Sequence, residues 1–291
     1  MSWIVEPGFF SSAPVHVALV VGGVSAVVSA IVGDDVVVRG QAFAGHALTD
    51  VATTGGSASF YLGVSPLLGF IGAAVLGAGA MDLIGVQRIR GRDLATGVVL
   101  SVATGVAALF LYLDATDRAT TGATQQILFG SIFTLDPSTI PLVAATSVAT
   151  LAVVVVIYRP LLLSSLSAEL AAARGVALRA VGIAFMFALA VAVGLSSIAI
   201  GSILSTALLI GPAAAALRMT RRLRGAFTVA VILGVATTWL GVLLAYNSYY
   251  WFPSSQGLPV SFFIVALVFL AYLASGTPAL GRVTRPRERH A

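Results

Sequence analysis

The sequence contains no cysteine and no lysine, and only 9% of its residues are charged. The absence of cysteine excludes disulfide bonds and thiolate metal ligands, so any metal ion must be bound by oxygen or by imidazole nitrogen. The absence of lysine excludes the phosphate-binding loop Gly-x-x-x-x-Gly-Lys-Ser/Thr, in which the lysine contacts the nucleotide phosphates. The chain therefore does not bind ATP in that way.

Polar side chains are too few to cover a protein of this size in water. Hydrophobic residues make up 58% of the chain, and its mean hydropathy is +1.02. A net charge of +5 would suggest a nucleic-acid partner in a soluble protein. Here the charge comes from arginines that flank apolar segments, so nucleic acid is excluded as a partner. The first twelve residues carry no basic group and precede a long apolar segment, so we do not expect a cleaved signal peptide.

Nine apolar runs of about 20 residues follow one another along the chain. That length crosses roughly 30 Å of hydrocarbon at about 1.5 Å per residue, so each run predicts a transmembrane helix. The fold class is therefore all-α, with a single integral membrane domain over residues 1–291, a core of residues 14–275 and a cytoplasmic tail of residues 276–291. The predicted spans are Pro14–Val38, Gln41–Leu62, Pro66–Val86, Asp93–Leu113, Ser138–Tyr158, Val176–Ser197, Ile198–Leu217, Gly225–Tyr246 and Leu258–Ser275.

The arginines predict how these spans are oriented, because membrane proteins keep basic residues on the cytoplasmic side. With the N-terminus outside and the C-terminus inside, all the arginines except Arg118 fall in cytoplasmic segments or at the C-terminus. Arg118 lies beside Asp114 and Asp117 in an outer segment. The aromatic cluster from Tyr246 to Phe252 then lies at the outer interface, where amphipathic rings accumulate. The protein is thus predicted to be a multi-pass protein of the cell membrane.

Two connecting segments are not simple hairpin turns. Residues 120–135 are too polar for a span and predict a short helix or a re-entrant segment on the outer side. Residues 160–179 form the longest cytoplasmic connection, in which Ser167 is a helix N-cap, Glu169 lies in the first turn and Gly175 ends the helix. A short cytoplasmic helix of this kind suits docking onto an ATPase, and a plain amphipathic connector would have the same pattern.

Six segments occur in the order and topology of a known family, and none of them alone is specific. Over roughly residues 20 to 275 the chain resembles the ABC permeases of the zinc/manganese/iron uptake family. The resemblance implies that residues 169–175, including Glu169, Ala172 and Gly175, couple the permease to its ATPase. The six segments are Arg39 followed by Gly45-His46-Ala47, then Arg92–Val98, Ile127–Ile132, Glu169–Gly175, Ala207–Ala216 and Leu258-Pro259.

The chain departs from the family pattern mainly in the second span. The family has Asp-x-x-Ser-His-Ala followed by Leu-Pro-Gly, whereas this chain has Ala42 at the Asp position and Gly45 at the Ser position. Its intramembrane carboxylate, Asp50, stands one turn after the histidine instead of one turn before it. Ala215 and Ser261 also replace a family Thr and Gly. The fold assignment therefore transfers, whereas the family's metal site does not transfer intact.

The second span carries one polar face whatever the family. An Asp near the middle of a span costs about 2.5–3.5 kcal/mol on insertion scales, so it faces a partner or a water-filled cavity. His46 and Asp50 lie one turn apart and could ligate a common ion, which predicts a metal pathway. The alternative is a structural His–Asp pair that holds two helices together. The residues of this face, spaced as on one side of a helix, are His46, Thr49, Asp50, Thr53 and Ser57.

The seventh span offers a second polar face. Ser202, Ser205 and Thr206 share one side of the helix and are possible pathway-lining residues. Hydroxyl side chains also bond back to their own helix, so a purely local role is the alternative. Pro212 is expected to kink this span.

Three further polar residues favour structural roles. His16 is alone in an apolar span and predicts a hydrogen-bonded packing histidine. Asp82 is expected to pair with nearby Arg88 or Arg90. His290 belongs to an arginine-rich tail, where it is expected to be solvated.

These observations predict a transport subunit without enzymatic activity of its own. It would be the permease of an ATP-driven ABC importer for a divalent metal ion, zinc or manganese, with no permanently bound cofactor. The resemblance implies three protein partners: a second copy of the chain, a cytoplasmic ABC ATPase, and an extracytoplasmic metal-binding protein. Two alternatives remain open. One is a proton-coupled secondary carrier with His46 and Asp50 as the relay, and the other is a membrane scaffold without transport.

Overall fold

The structure is a computed structural model that describes residues 8–84, 92–118, 122–130, 132–251 and 257–276. Within these residues the chain is all-α, as predicted. A short 3₁₀ turn at Phe9–Ser11 precedes the first helix, and a π-helical segment at Asp114–Arg118 follows the fourth. The α-helices are α1 (Ala13–Val38), α2 (Ala42–Leu62), α3 (Pro66–Ile84), α4 (Arg92–Leu113), α5 (Ala123–Phe129), α6 (Thr139–Leu166), α7 (Ala168–Ala173), α8 (Leu178–Ile200), α9 (Ser202–Met219), α10 (Leu223–Ser248) and α11 (Val260–Ser275).

The longer helices correspond to the apolar runs of the sequence. Among the described residues, seven helices are long and apolar enough to cross a membrane, namely α1, α3, α4, α6, α8, α9 and α10. Helix α11 is apolar but has only 16 residues, and α2 is long enough but its hydroxyl, glycine and ionisable residues lower its hydropathy. The polytopic membrane fold is therefore confirmed, whereas the count of nine spans and their orientation stay predictions. The arginines at positions 88, 90 and 282–289, and His290, lie outside the described residues.

Helix α6 is longer than the fifth apolar run, which corrects one predicted boundary. The predicted span ends at Tyr158, whereas α6 continues to Leu166 with Pro160 inside it. Proline removes one backbone hydrogen bond of the helix. The turn that follows is closed by the Ser164 and Ser165 hydroxyls, which donate to the Leu161 carbonyl at 2.8 and 2.7 Å. The connection from α6 to α8 therefore shortens to residues 167–177.

Helices α1 and α8 form the inner part of the bundle. In α8, 78% of the most apolar window is buried, and in α1 67%, whereas α4 is buried over only 17%. Close approach of small residues makes this packing possible. A Cβ at Gly33 of α1 would overlap the Leu209 carbonyl oxygen of α9, so only glycine allows these two helices to touch at this point.

The segment predicted as a short helix or a re-entrant element contains α5. Its Ile127 is buried, whereas Thr124 and Gln125 are exposed. The helix ends at Gly130, whose backbone packs against the turn between α8 and α9 at Gly201; both glycines have positive φ. That turn lies at Gly201 rather than between Ser197 and Ile198, which corrects a second predicted boundary.

A polar corner connects this region to α6. The backbone N–H of Ser138 donates to Asp136 Oδ1 at 2.7 Å, and Thr139 Oγ1 donates to the Asp136 carbonyl. Hydrogen bonds from the Ser138 side chain and backbone lower the pKa of the exposed Asp136 carboxyl, because they favour its charged form. The chain is thus held in a defined turn before α6 begins.

Candidate functional site

The polar face of α2 divides between two neighbouring helices. His46 is exposed and Asp50 is half-buried, whereas Thr49, Thr53 and Ser57 are buried. The residues of this face have two different environments. His46 and Thr49 contact α9, whereas Asp50 contacts α4.

Hydroxyl groups orient the imidazole of His46. Its Nδ1 lies 3.2 Å from Thr206 Oγ1, which in turn lies 3.4 Å from Thr49 Oγ1. Thr49 Oγ1 donates its proton to the Gly45 carbonyl at 3.1 Å, so its lone pairs are free to accept from Thr206. Thr206 can then accept from the Nδ1–H tautomer of His46. In that tautomer the Nε2 lone pair of His46 is available to a cation, as in metal sites where the second ring nitrogen is fixed by a hydrogen bond.

Ser205 joins the same group from α9. Its Oγ lies 3.4 Å from Thr49 Oγ1 and 3.1 Å from the Ser202 carbonyl. The predicted faces of the second and seventh spans are therefore brought together, with Thr49, Ser205 and Thr206 between them.

The carboxylate of Asp50 is bound by a residue that sequence reasoning missed. Thr104 Oγ1, on α4, lies 2.8 Å from Asp50 Oδ2 and 2.8 Å from the Leu100 carbonyl, so one proton is shared between these acceptors. In the sequence Thr104 is one of a few hydroxyl residues in an apolar span, and only the packing of α4 on α2 shows its role. Thr54 strengthens this packing, because its Oγ1 donates to the Ala103 carbonyl at 2.8 Å.

A cavity of about 210 Å³ adjoins Asp50, and its walls come from α2, α4, α5 and α9. Its polar lining consists of Asp50, Thr53, Thr104 and Ser202, and its apolar lining includes Leu128 of α5. Ser202 Oγ is buried without a hydrogen-bond partner among the described residues, so it can accept or donate to a molecule in the cavity. The cavity thus brings oxygen atoms from three helices around one space.

Thr53 and Ser57 have partly local roles. Thr53 Oγ1 donates to the Thr49 carbonyl at 2.8 Å, and Ser57 Oγ donates to the Thr54 carbonyl at 3.0 Å. Thr53 also lines the cavity, whereas Ser57 is not among the residues that line it. Both hydroxyl oxygens keep lone pairs that can accept hydrogen bonds or face a cation.

The described residues contain no group of three or more His, Cys, Asp and Glu side chains that could hold a metal ion. A cation at this site would therefore be bound by the His46 imidazole or the Asp50 carboxylate together with hydroxyl oxygens, water or groups from another chain. Such a ligand set is incomplete, and it suits a passing ion better than a permanently bound one.

Two further carboxylates are buried in α1. Asp34 and Asp35 are 1% and 6% exposed, and neither oxygen of the Asp34 carboxylate has a hydrogen-bond partner within the described part of the chain. They lie one turn before Arg39, at the end of α1 that is predicted to be cytoplasmic. This pair of adjacent acids inside an apolar run can be seen in the sequence. It was not singled out there, because the topology prediction considers only the arginines.

The predicted coupling segment forms the short helix α7. Ser167 caps it by accepting from the Leu170 N–H at 3.2 Å. At the other end, the N–H groups of Gly175 and Val176 donate to the carbonyls of Ala172 and Ala171 at 2.9 and 3.0 Å, with Gly175 at φ +76°. The predicted cap and stop are thus confirmed. The three residues predicted to couple to an ATPase, Glu169, Ala172 and Gly175, are all exposed.

The remaining candidates have structural contacts. His16 Nε2 lies 2.7 Å from the Phe10 carbonyl oxygen. Asp82 forms an ion pair with Arg179 at 3.8 Å; Arg88 and Arg90, its predicted partners, lie outside the described residues. Pro212 lies inside α9, which continues through it to Met219.

The chain is similar in sequence to two bacterial manganese transport proteins. One is the manganese transport system membrane protein MntC of Listeria innocua serovar 6a, 26% identical over 261 residues, which cover 88% of this chain and 89% of the relative. The other is the manganese import system permease protein ScaB of Streptococcus parasanguinis, 28% identical over 232 residues, which cover 79% of this chain and 81% of the relative.

The fold is also similar to a solved structure, that of PsaBC from Streptococcus pneumoniae in complex with Fab. The TM-score is 0.80 at 23% identity, with 95% of this chain and 96% of that chain covered. The model of the ABC 3 transport family matches residues 13–276. Since this range includes every transmembrane helix described above, the protein belongs to the ABC 3 transport family.

Proposed function

We propose that this protein is the membrane-spanning permease of an ATP-driven importer whose cargo is manganese(II). The observation that carries the proposal is the polar wall between α2, α4 and α9. There an imidazole and a carboxylate one turn apart are each oriented by a threonine of a neighbouring helix. Both relatives described above carry manganese transport in their names, which supports the choice of metal.

The ligand types also favour manganese over zinc. Carboxylate, hydroxyl and water oxygens suit Mn²⁺, whereas additional imidazole or thiolate ligands would favour Zn²⁺. Here the polar lining of the cavity is made of oxygen, from Asp50, Thr53, Thr104 and Ser202, and the one imidazole of this face, His46, lies a helical turn away outside that lining. The ion is cargo, so weak and incomplete coordination is an advantage: an ion in a closed site with four protein ligands would leave slowly.

Energy is supplied in this proposal by a separate ATPase that docks on α7. The exposed side chains of this helix include Glu169 and Leu170, which offer a charge and an apolar contact to a groove. A second copy of the chain completes the pathway, and an extracytoplasmic metal-binding protein delivers the ion. Both partners follow from the family resemblance.

The decisive experiment is uptake of radiolabelled Mn²⁺ into proteoliposomes that contain the permease together with its ATPase and are supplied with the metal-binding protein. Uptake should require ATP hydrolysis and should be competed more strongly by Mn²⁺ than by Zn²⁺. Uptake driven by an imposed proton gradient without ATP would instead support the proton-coupled carrier, and preferential competition by Zn²⁺ would reverse the choice of metal.

The role of α7 has its own test. Glu169→Arg should abolish both ATPase co-purification and uptake, while the amount of inserted permease stays unchanged, because the charge is reversed on an exposed docking surface. Arg159→Met, at an exposed site of α6, is the control and should keep both activities. Normal transport by the Glu169→Arg variant would remove the support for docking at α7.

A further inference from the structure

Arg39 reaches from the end of the first span to the end of α6. Its Nη1 donates to Ser164 Oγ and Ser165 Oγ, both at 3.0 Å, and lies 3.4 Å from the Leu161 carbonyl oxygen. The same guanidinium lies over the Phe185 ring of α8, with Cζ 5.4 Å from the ring centroid. One half-buried side chain thus holds the last turn of α6 against the inner bundle.

The backbone around Arg39 is closed by hydrogen bonds and leads directly into α2. Arg39 is the C-cap of α1. The N–H groups of Gly40 and Gln41 donate to the carbonyls of Val37 and Val36 at 3.1 and 2.9 Å, with Gly40 at φ +62°. Helix α2 begins at the next residue. The end of α1, the Arg39 side chain and the first turn of α2 therefore form one hydrogen-bonded unit.

The turn of α6 that Arg39 binds lies next to α7 in the chain. Helix α6 ends at Leu166, and Ser167 is both the C-cap of α6 and the N-cap of α7. A single residue therefore separates the turn that Arg39 binds from the helix that is proposed to dock on the ATPase. A displacement of α7 must move this turn of α6 or break the capping bonds between them.

We propose that Arg39 is a positioning residue that transmits the movement of α7 to α2, the helix that carries His46 and Asp50. This inference rests on the proposed function, because it requires an ATPase that displaces α7. His46 stands only about one helical turn beyond the start of α2. A tilt of that first turn moves its imidazole relative to Thr206, its partner on α9. Arg39 therefore links ATP-driven motion to the ligand geometry of the pathway.

The chemistry of the contact favours arginine over lysine. The planar guanidinium donates to hydroxyl oxygens of α6 while its face lies on the aromatic ring of Phe185. An ammonium group at the same position would keep the charge but could not place its donors and stack on the ring in the same way. Lysine should consequently transmit the movement less well than arginine and better than an uncharged side chain.

The test measures uptake of Mn²⁺ per ATP hydrolysed by the permease–ATPase complex in proteoliposomes, supplied with the metal-binding protein. Arg39→Met should keep ATPase co-purification and ATP hydrolysis while the ratio of uptake to hydrolysis falls about tenfold or more, as expected when hydrogen bonds of a charged group are lost. Arg39→Lys should restore part of the ratio. Arg159→Met, the exposed arginine of the same α6 segment, should leave it unchanged.

The Ser164→Ala/Ser165→Ala double variant removes the acceptors of Arg39 without altering a charge. It tests whether this contact couples hydrolysis to uptake even if Arg39→Met fails to assemble. It should lower the ratio several-fold and add little further loss in the Arg39→Met background, where the contact is already absent. Uptake and hydrolysis that fall in the same proportion, or an unchanged ratio in the double variant, would overturn the role of Arg39. Failure of the wild-type complex to use ATP would overturn the proposed function instead.

Discussion

At the scale of single residues, the two ionisable groups of the α2 face are held by threonines from opposite sides. Thr206 of α9 orients the imidazole of His46, and Thr104 of α4 holds the carboxylate of Asp50. Hydrogen bonds to a ligating group fix its orientation, and their loss commonly weakens metal sites about tenfold to a hundredfold. The threonines should therefore matter although they need not touch the ion.

His46→Ala and Asp50→Ala should each reduce Mn²⁺ uptake severely while expression and assembly are preserved. Asp50→Asn should be nearly as damaging, because it keeps the size of the side chain and removes its charge. The measurement is initial uptake of Mn²⁺ in cells or proteoliposomes, normalised to the inserted permease. Wild-type rates in both alanine variants would mean that the pair is structural and that the pathway lies elsewhere.

Thr104→Val and Thr206→Val should each lower uptake by about tenfold, mainly through weaker metal affinity, since each keeps the side-chain shape and removes an orienting hydroxyl. The apparent KM for Mn²⁺ is the quantity to measure. Ser101→Ala is the matched control, because Ser101 lies one turn before Thr104 on α4 and, within the described residues, its hydroxyl bonds only its own helix, at the Gly97 carbonyl. A KM that shifts equally in all three variants would contradict the orienting role.

The sequence predicts the part of this site that lies on α2, but it does not predict the contribution of α4, for a physical reason. The face of α2 follows from helical periodicity, which places His46 and Asp50 on one side. Thr104 cannot be found in this way, because its partner lies on another helix and periodicity carries no information on which helices pack together. The roles of the individual side chains in the pathway stay predictions.

At the scale of helices, the connection between α6 and α8 is defined by its caps. Ser167 and Gly175 were recognisable from composition, whereas the extension of α6 through Pro160 was not, because proline usually ends a helix and only the contacts of the following turn stabilise it here. Arg39 supplies one of these contacts although it lies 125 positions before Ser164 in the sequence.

Gly175→Ala should weaken the end of α7 by roughly 1–2 kcal/mol, because Gly175 has a left-handed backbone that a Cβ disfavours. Nothing lies within 4 Å of a Cβ at this position, so the effect would come from the backbone alone. Co-purification of the ATPase and uptake should both decrease.

The control for Gly175→Ala is Gly97→Ala. Gly97 lies inside α4, and a Cβ there also has nothing within 4 Å, but its backbone is helical, so alanine should be neutral or stabilising. If Gly97→Ala impaired ATPase binding as much as Gly175→Ala, the shape of the α7 terminus would not be the cause.

For the whole molecule, the sequence predicts the order and the approximate lengths of the helices better than it predicts how they pack. The arginine distribution alone implies a side of the membrane for each connection, and the helices described here agree with the apolar runs in order and approximate length. Which helices are central could not be read in the same way, because α1, α6, α8 and α10 are similarly apolar and only their contacts distinguish them.

The predicted orientation can be checked with reporters that are active only in the cytoplasm. A reporter fused after Arg224 or at the C-terminus should be active, and one fused after Ser254, outside the described residues, should be silent. Reversed signals would overturn the orientation with the N-terminus outside, and activity at all three positions would overturn the last predicted span.

The uneven burial of the helices has a mechanical consequence for the Asp50 cavity. One wall belongs to α9, which packs against α1, α8, α10 and α11, whereas the opposite wall belongs to α4, which packs mainly against α2. The α9 wall is therefore held by more neighbouring helices than the α4 wall, so amide hydrogen exchange should be slower in α9 than in α4. An ion that draws the Asp50 carboxylate away from Thr104 would release α4 from α2 at this point. Because α4 has few other neighbouring helices, the cavity could then widen with the loss of few contacts.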